Sequence, residues 1–188
     1  MERKTEKHMF KAFYPKEYRD SAYDIPYEKF YREGIRGVIF DIDNTLVPHG
    51  APADRRAKEL FSRLHGMGMK TCLLSNNKEP RVSSFAGQVK SPYIFKAGKP
   101  GTKGYQRAME LMGTDLGTSL FVGDQLFTDV YGANRTGIYA VLTKPIHPRE
   151  EIQIVLKRRL EAVVLLFYRR ACEKQKKSGR YGGRPEKS

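Results

Sequence analysis

The sequence predicts an α/β domain: a parallel sheet with helices on both faces and ligands at the C-terminal ends of the strands. Three observations carry this. Short apolar runs (Val38-Ile39-Phe40, Met69 to Leu74, Ser119 to Val122) alternate with stretches whose apolar residues recur at helical spacing. The runs read as strands buried on both faces. They also end in polar, chemistry-bearing residues, first of all Asp41 and Asp43 directly after Phe40.

Taken in order, residues 1–34 form an N-terminal arm rich in aromatic and charged side chains, among them Phe13, Tyr14, Tyr18, Tyr23, Tyr27, Phe30 and Tyr31. Packing against the domain explains such a set better than stacking on bases or sugars. Regular patterning starts at Ile35 and opens a core spanning 35–148. After the first strand, Pro48, Gly50 and Pro52 mark a turn. Asp54 then has the chemistry of an N-cap for a helix burying Ala57, Leu60, Phe61 and Leu64, which Gly66 and Gly68 end. The strand Met69 to Leu74 closes in Ser75-Asn76-Asn77, and Pro80 suits the first turn of a helix over 81–89. Tyr93-Ile94-Phe95 is a third strand, followed by Ala97-Gly98-Lys99-Pro100 and a helix over 102–112 with Tyr105, Ala108, Met109 and Met112 on its buried stripe. Ser119 to Val122 runs into Gly123-Asp124 and on to Asp129, and a helix through Ala133 leads to the last strand, Tyr139 to Leu142.

Composition bounds the rest. At 188 residues the chain holds one domain with a full core plus an appended segment. Its net charge of +14 favours anionic partners such as phosphate esters, nucleic acid or acidic lipid. From Arg149 to Ser188 there are twelve Lys or Arg against five Glu, so this segment carries half of the surplus. Ile152, Val155, Leu156, Leu160, Val163, Val164, Phe167 and Ala171 recur at helical spacing, which predicts a basic amphipathic helix over 149–177; 178–188 reads as a disordered tail. Such a helix suits an anionic membrane surface, the sheet or a dimer interface. The two cysteines, Cys72 and Cys172, form neither a disulfide framework nor a zinc set, and a reducing cytosol fits them. No secretory signal or membrane span is expected, so the expected place is cytoplasmic, with peripheral contact at the inner face of the membrane.

Two carboxylates about 4 Å apart repel by roughly 4 kcal/mol at an effective dielectric near 20. Asp41 and Asp43 therefore need a cation or a proton. The other strand ends supply more chemistry: Ser75, Lys99, and Asp124 with Asp129. Separately each has a bland reading, Asp43 as a turn acid, Ser75 as a helix cap, Lys99 as one surface lysine among many. Their joint order, each after an apolar strand, does not arise by such accidents.

That order resembles the haloacid dehalogenase (HAD) superfamily of phosphohydrolases, a Rossmann-like fold whose motifs are an Asp-x-Asp-x-Thr strand end, a Ser or Thr strand end, a Lys near a helix start, and a final acidic pair. The resemblance covers about Ile35 to Leu142. It implies Asp41 as nucleophile of an aspartyl-phosphate mechanism, Asp43 as general acid and base, and Thr45, Ser75, Asn76 and Lys99 as phosphate contacts. It further implies Mg²⁺ on the Asp41 carboxylate, the Asp43 main-chain carbonyl and Asp124, with Asp129 as a second acidic contact. Asp43 points to a phosphatase rather than a dehalogenase. A receiver domain uses similar groups, but its acceptor Asp lies at the third strand. From the residues alone, Asn76, Asn77, His49 and Gln125 are weaker candidates, read as loop-formers rather than catalytic groups.

Only about thirty residues separate Thr45 from Ser75, and fewer separate Ser75 from Lys99, so no cap domain is expected and the site should be open. Ser21-Ala22-Tyr23-Asp24-Ile25, Leu74-Ser75-Asn76-Asn77, Ala97-Gly98-Lys99-Pro100 and Gly123-Asp124-Gln125 look like the YqeG-type branch, which is similar to mitochondrial-type phosphatidylglycerophosphate phosphatases. The resemblance implies a lipid phosphate monoester, phosphatidylglycerophosphate, as the leading substrate. Alternatives are a soluble or protein phosphate ester, or a basic nucleic-acid-binding module on an inactive scaffold, although no RNA-binding signature accompanies the charge.

Overall fold

The computed structural model describes residues 10–147, 161–170 and 172–173. The strands in chain order are β1 (Glu17–Arg19), β2 (Gly37–Phe40), β3 (Lys70–Leu74), β4 (Tyr93–Ile94), β5 (Ser119–Gly123) and β6 (Tyr139–Thr143). The helices are α1 (Tyr27–Arg32), α2 (Arg55–Gly66), α3 (Glu79–Val89), α4 (Lys103–Met112) and α5 (Tyr131–Thr136). All strand pairs are parallel, in the order β1-β6-β5-β2-β3-β4. From β2 the chain builds outward through β3 and β4, then returns to lay β5 on the other side of β2. The order thus reverses between β2 and β5, and the crevice beyond their C-terminal ends is where this class of sheet places a ligand.

Alternation along β2 divides the core. Val38 and Phe40 point to one face, where Phe40 meets Phe61 of α2 (ring centroids 5.2 Å) and Tyr27 of α1 (6.1 Å). The next strand over does the same on the opposite face: Phe121 of β5 meets Tyr105 of α4 at 5.1 Å. β2 and β5 are buried along their whole length, as strands covered on both sides must be. Each fully buried side chain of this kind contributes roughly 1.5–3 kcal/mol of transfer free energy.

The helix ends reflect local chemistry. Asp54 accepts the backbone N–H of Ala57 at 2.8 Å and starts α2; Gly113, at φ +65, ends α4 in a left-handed turn. Pro80 sits in the first turn of α3, where its missing N–H costs nothing.

Two elements differ from the sequence reading. The regular pattern was expected to begin at Ile35, yet Glu17–Arg19 adds a sixth strand beside β6. It has no apolar run to betray it: it is a three-residue, half-exposed edge strand flanked by charge, which is how sheet edges are kept from pairing with other chains. Tyr27 and Phe30, read as arm residues, are buried in the core. The helix expected through Ala133 begins as a π-helical turn, Leu126–Val130, before α5.

Between Thr45 and Ser75 lie only α2 and β3, and between Ser75 and Lys99 only α3 and β4, so no inserted domain covers the crevice. Residues 11–149 form one compact unit. Residues 161–170, outside it, are helical, and Val163, Leu166 and Phe167 are exposed at helical spacing. The remainder of the expected basic helix and the expected tail lie outside the described residues.

Candidate active site

Each strand end delivers its next residues to the crevice. Asp41 continues the β2 ladder, its N–H donating to the Val122 carbonyl at 2.9 Å, so it emerges beside Gly123 and Asp124 at the end of β5. A tight turn comes next. Asn44 adopts φ +62, a left-handed conformation that Asn tolerates better than most residues, and its N–H donates to the Val47 carbonyl at 2.7 Å. The turn tucks Thr45 back under the site, where its hydroxyl donates to Asp124 Oδ1 at 3.1 Å. Ser75 comes directly after β3 and is buried; its Oγ accepts the Asn77 N–H at 3.2 Å.

Lys99 arrives from the loop after β4, fastened by Asn76: the Lys99 N–H donates to Asn76 Oδ1 at 2.8 Å and Asn76 Nδ2 donates to the Lys99 carbonyl at 3.1 Å. Its side chain is only 4% exposed, and the ammonium donates to Asp41 Oδ1 at 2.6 Å and to Asp129 Oδ1 at 2.7 Å. The π-helical turn is what aims Asp129 inward, since its extra residue per turn rotates the side chain back toward Gln125. The Gln125 N–H donates to Asp129 Oδ2 at 3.0 Å. Gly123 makes room: a Cβ there would lie 2.5 Å from Asp129 Oδ2. Tyr105 braces the turn from α4, its hydroxyl donating to the carbonyls of Thr128 and Asp129, both at 3.0 Å.

Asp41, Asp124 and Asp129 each offer an oxygen, and these lie within 4.8 Å of one another, all buried. Three carboxylates face one ammonium, an excess of two negative charges when all are ionised. Burial pushes Asp41 up to about 7, against the pull of Lys99 and with the added repulsion of Asp129. Burial also lifts Asp124 well above the carboxylate range, with the charges of Asp41 and Asp129 adding to it. For Lys99, burial alone would favour the neutral amine; the charges of Asp129 and Asp41 outweigh it and hold the ammonium above its ordinary value. Hard oxygen donors with surplus negative charge fit a divalent cation such as Mg²⁺, which would remove the need for protons.

Asp43 stands apart from this cluster. Its Oδ1 accepts the Gly50 N–H at 2.8 Å and Arg81 Nη2 at 2.9 Å, with His49 Nδ1 at 3.9 Å; its Oδ2 accepts Asn77 Nδ2 at 2.6 Å. The crevice thus holds two acids in different settings: Asp41 against Lys99, and Asp43 against Arg81.

The fold brings Asp41, Asp124, Asp129 and Lys99 into direct contact or close approach, with Thr45 behind Asp124 and Asn76 behind Lys99. The side chains of Thr45 and Asn76 are engaged with these partners, Thr45 with Asp124 and Asn76 with the Lys99 backbone. Asn77 and His49 do lie in loops, and from there Asn77 Nδ2 donates to Asp43 while His49 stands 3.9 Å from it. Arg81 went unnoticed. It lies in a helix first turn in a chain with 35 Lys and Arg, and only its contact with Asp43 sets it apart.

Comparisons with known proteins give the chain relatives in sequence and in fold. A HAD-hydrolase-like family model matches residues 96–152. The chain is 35% identical over 161 residues to a Bacillus subtilis protein named "Probable phosphatase YqeG", covering 85% of this chain and 94% of that one. It is 28% identical over 152 residues to phosphatidylglycerophosphate phosphatase 1, chloroplastic/mitochondrial, of Arabidopsis thaliana, covering 75% of this chain and 44% of the relative. In fold it is similar to a crystallised protein of Xanthomonas campestris (TM-score 0.51, 17% identity, 69% of this chain and 75% of that one). With the parallel sheet, strand ends that no inserted domain separates, and the buried acids around one lysine already in place, the chain belongs to the YqeG-type family of HAD-like phosphatases.

Proposed function

We propose that the protein is a Mg²⁺-dependent phosphomonoesterase working through an aspartyl-phosphate on Asp41, and that its substrate is the lipid phosphate monoester phosphatidylglycerophosphate. One observation carries the mechanism: Lys99 holds Asp41 Oδ1 at 2.6 Å, while Oδ2 accepts no hydrogen bond from any described residue. One oxygen is anchored and the other is available to phosphorus, as a preorganised nucleophile requires.

In the first step Asp41 Oδ2 bonds to phosphorus as the ester P–O bond breaks, and the leaving oxygen takes a proton from Asp43. In the second, water attacks the same phosphorus, Asp43 receives its proton, and inorganic phosphate leaves with Asp41 restored as a carboxylate. Ser75 and the N–H groups after it contact the phosphoryl oxygens, and the Lys99 ammonium offsets charge on Asp41 and the transferring group. Asp41, Asp124 and the Asp43 main-chain carbonyl would hold the cation, with Asp129 as the further acidic contact. Bound Mg²⁺ supplies Lewis-acid stabilisation of the developing charge.

The lipid substrate is supported by the similarity to the Arabidopsis phosphatase, by the uncovered crevice and by the +14 charge. No helix among the described residues is long and apolar enough to cross a membrane. Contact with anionic lipid is assigned to the basic C-terminal segment, lying peripherally on the inner face of the membrane of a cytoplasmic protein. The test is phosphate release from phosphatidylglycerophosphate in mixed micelles and from a soluble aryl phosphate, by wild type and Asp41→Asn, with Mg²⁺ or EDTA. Release from the lipid that needs both Asp41 and Mg²⁺ is expected. Efficient hydrolysis of the soluble ester with none of the lipid would remove the substrate assignment, and equal rates in every condition would remove the mechanism.

A further inference from the structure

Arg81 is the group in the crevice that the proposed chemistry leaves unused. It is the third residue of α3, in the first turn, where a cation opposes the helix dipole and so gains nothing from its own helix. Its guanidinium has five N–H donors, and among the described residues one of its nitrogens is engaged: Nη2, on Asp43 Oδ1 at 2.9 Å. Nε is buried and has no hydrogen-bond partner among the described residues, although an unmatched buried donor carries a cost. The Phe85 ring, one turn further along α3, lies 5.6 Å from the guanidinium carbon and supports it from below. The side chain is 19% exposed, so the guanidinium is held in place yet reachable from the crevice.

Its place relative to the reaction gives this a meaning. The acids divide the site, with Lys99 serving Asp41 on the side of the transferring phosphoryl group and Arg81 serving Asp43, which faces the leaving oxygen. In the proposed reaction, a group attached to the leaving oxygen beside Asp43 would lie near the guanidinium, which stands 2.9 Å from Asp43 Oδ1. Asp43 does not need Arg81 to be held, because Asn77 Nδ2 at 2.6 Å and the Gly50 N–H at 2.8 Å already fix both of its oxygens. A planar donor fork with spare N–H groups is the side chain best suited to a phosphate-type anion.

We propose that Arg81 is a specificity determinant that binds a second anionic group, a phosphodiester, carried by the leaving portion of the substrate. The inference rests on the phosphomonoesterase reading and deepens it: the preferred substrate carries one phosphate monoester for Asp41 and one further anion for Arg81. A membrane lipid and a small soluble molecule can both present that anion.

The experiment compares three esters: glycerol phosphate, the same molecule with a methyl phosphodiester on its other terminal carbon, and the same molecule with a diacylglycerol phosphodiester there, in mixed micelles. Wild type, Arg81→Gln and Arg81→Lys are assayed with Mg²⁺, after their melting curves establish that each is folded. Wild type should prefer both diester-bearing compounds over glycerol phosphate by about tenfold or more in kcat/KM, with KM carrying the difference. Arg81→Gln should bring that preference to within about threefold, and Arg81→Lys, a point charge without the fork, should retain part of it. The inference is overturned if wild type shows no preference, if Arg81→Gln keeps it, if it appears only with the lipid and independently of Arg81, or if the variants lose kcat equally on all three esters, which a purely structural role would give. Wild type that cleaves an aryl phosphate but none of the three esters overturns this inference alone. Wild type inert toward every ester removes the phosphatase reading as well.

Discussion

Replacing Lys99 by methionine removes the one ammonium from a buried acidic cluster while keeping most of the volume. The Nζ atom lies 2.6 Å from Asp41 Oδ1 and 2.7 Å from Asp129 Oδ1, and the three side chains are buried, so neither carboxylate gains water in compensation. Removing one partner of a buried ion pair costs about 3–5 kcal/mol, because the other charge stays behind unpaired. For a domain of this size each kcal/mol lowers Tm by about 2–4 °C, so the expected loss is roughly 6–20 °C at pH 8 in EDTA. At pH 5 the deficit should shrink, since the carboxylates can then take up protons in place of the lost ammonium. The assay is thermal unfolding of Lys99→Met and wild type at both pH values, with and without Mg²⁺. A Tm within about 2 °C of wild type at pH 8 in EDTA, against that expected loss, would refute the reasoning. So would a deficit of equal size at both pH values.

Two further outcomes are expected of the same cluster. In wild type without metal, Asp41 is pushed up to about 7 and Asp124 upward as well, so between the ordinary carboxylate pKa and pH 7 the folded state holds protons that the unfolded chain releases. Stability is then fully present at low pH and lost as pH rises through 7. Tm in EDTA should fall from pH 5 to pH 8, and Mg²⁺ should raise Tm more at pH 8 than at pH 5; thermal shift at four pH values checks both. Gly123→Ala would set a Cβ 2.5 Å from Asp129 Oδ2 and 2.8 Å from Asp129 Cβ. Urea unfolding should show a loss of about 1–3 kcal/mol, and turnover should fall with it because Asp129 no longer meets Lys99.

Legibility in the sequence tracked burial. Asp41, Ser75 and Asp124 each come after a continuous apolar run, and a carboxylate or hydroxyl directly after such a run can only stand at the edge of a covered sheet. The crevice between β2 and β5 was legible for the same reason. Lys99 was legible only through its neighbours, since nothing in Ala97-Gly98-Lys99-Pro100 announces that its ammonium is buried. The π-helical turn and the contacts of Arg81 and Asn77 with Asp43 were not legible. Their roles are set by contacts across 38, 34 and 30 residues of chain, from Arg81 and Asn77 to Asp43 and from Asp129 to Lys99, and no local pattern encodes those. β1 was hidden by composition, because a short charged edge strand has the sequence of a loop.

The central claim is that Asp41 carries the phosphoryl group. Wild type, Asp41→Asn and Asp43→Asn are mixed with phosphatidylglycerophosphate and Mg²⁺, quenched in acid within the first turnovers, digested and analysed by mass spectrometry. The mass of one phosphoryl group is expected on the peptide containing Asp41 in wild type. It should be absent from Asp41→Asn, and in Asp43→Asn, which lacks the acid of the first step and the base of the second, it should both form and decay more slowly than in wild type. Turnover with no phosphorylated Asp41 peptide in any sample, or with the label on another residue, would contradict it.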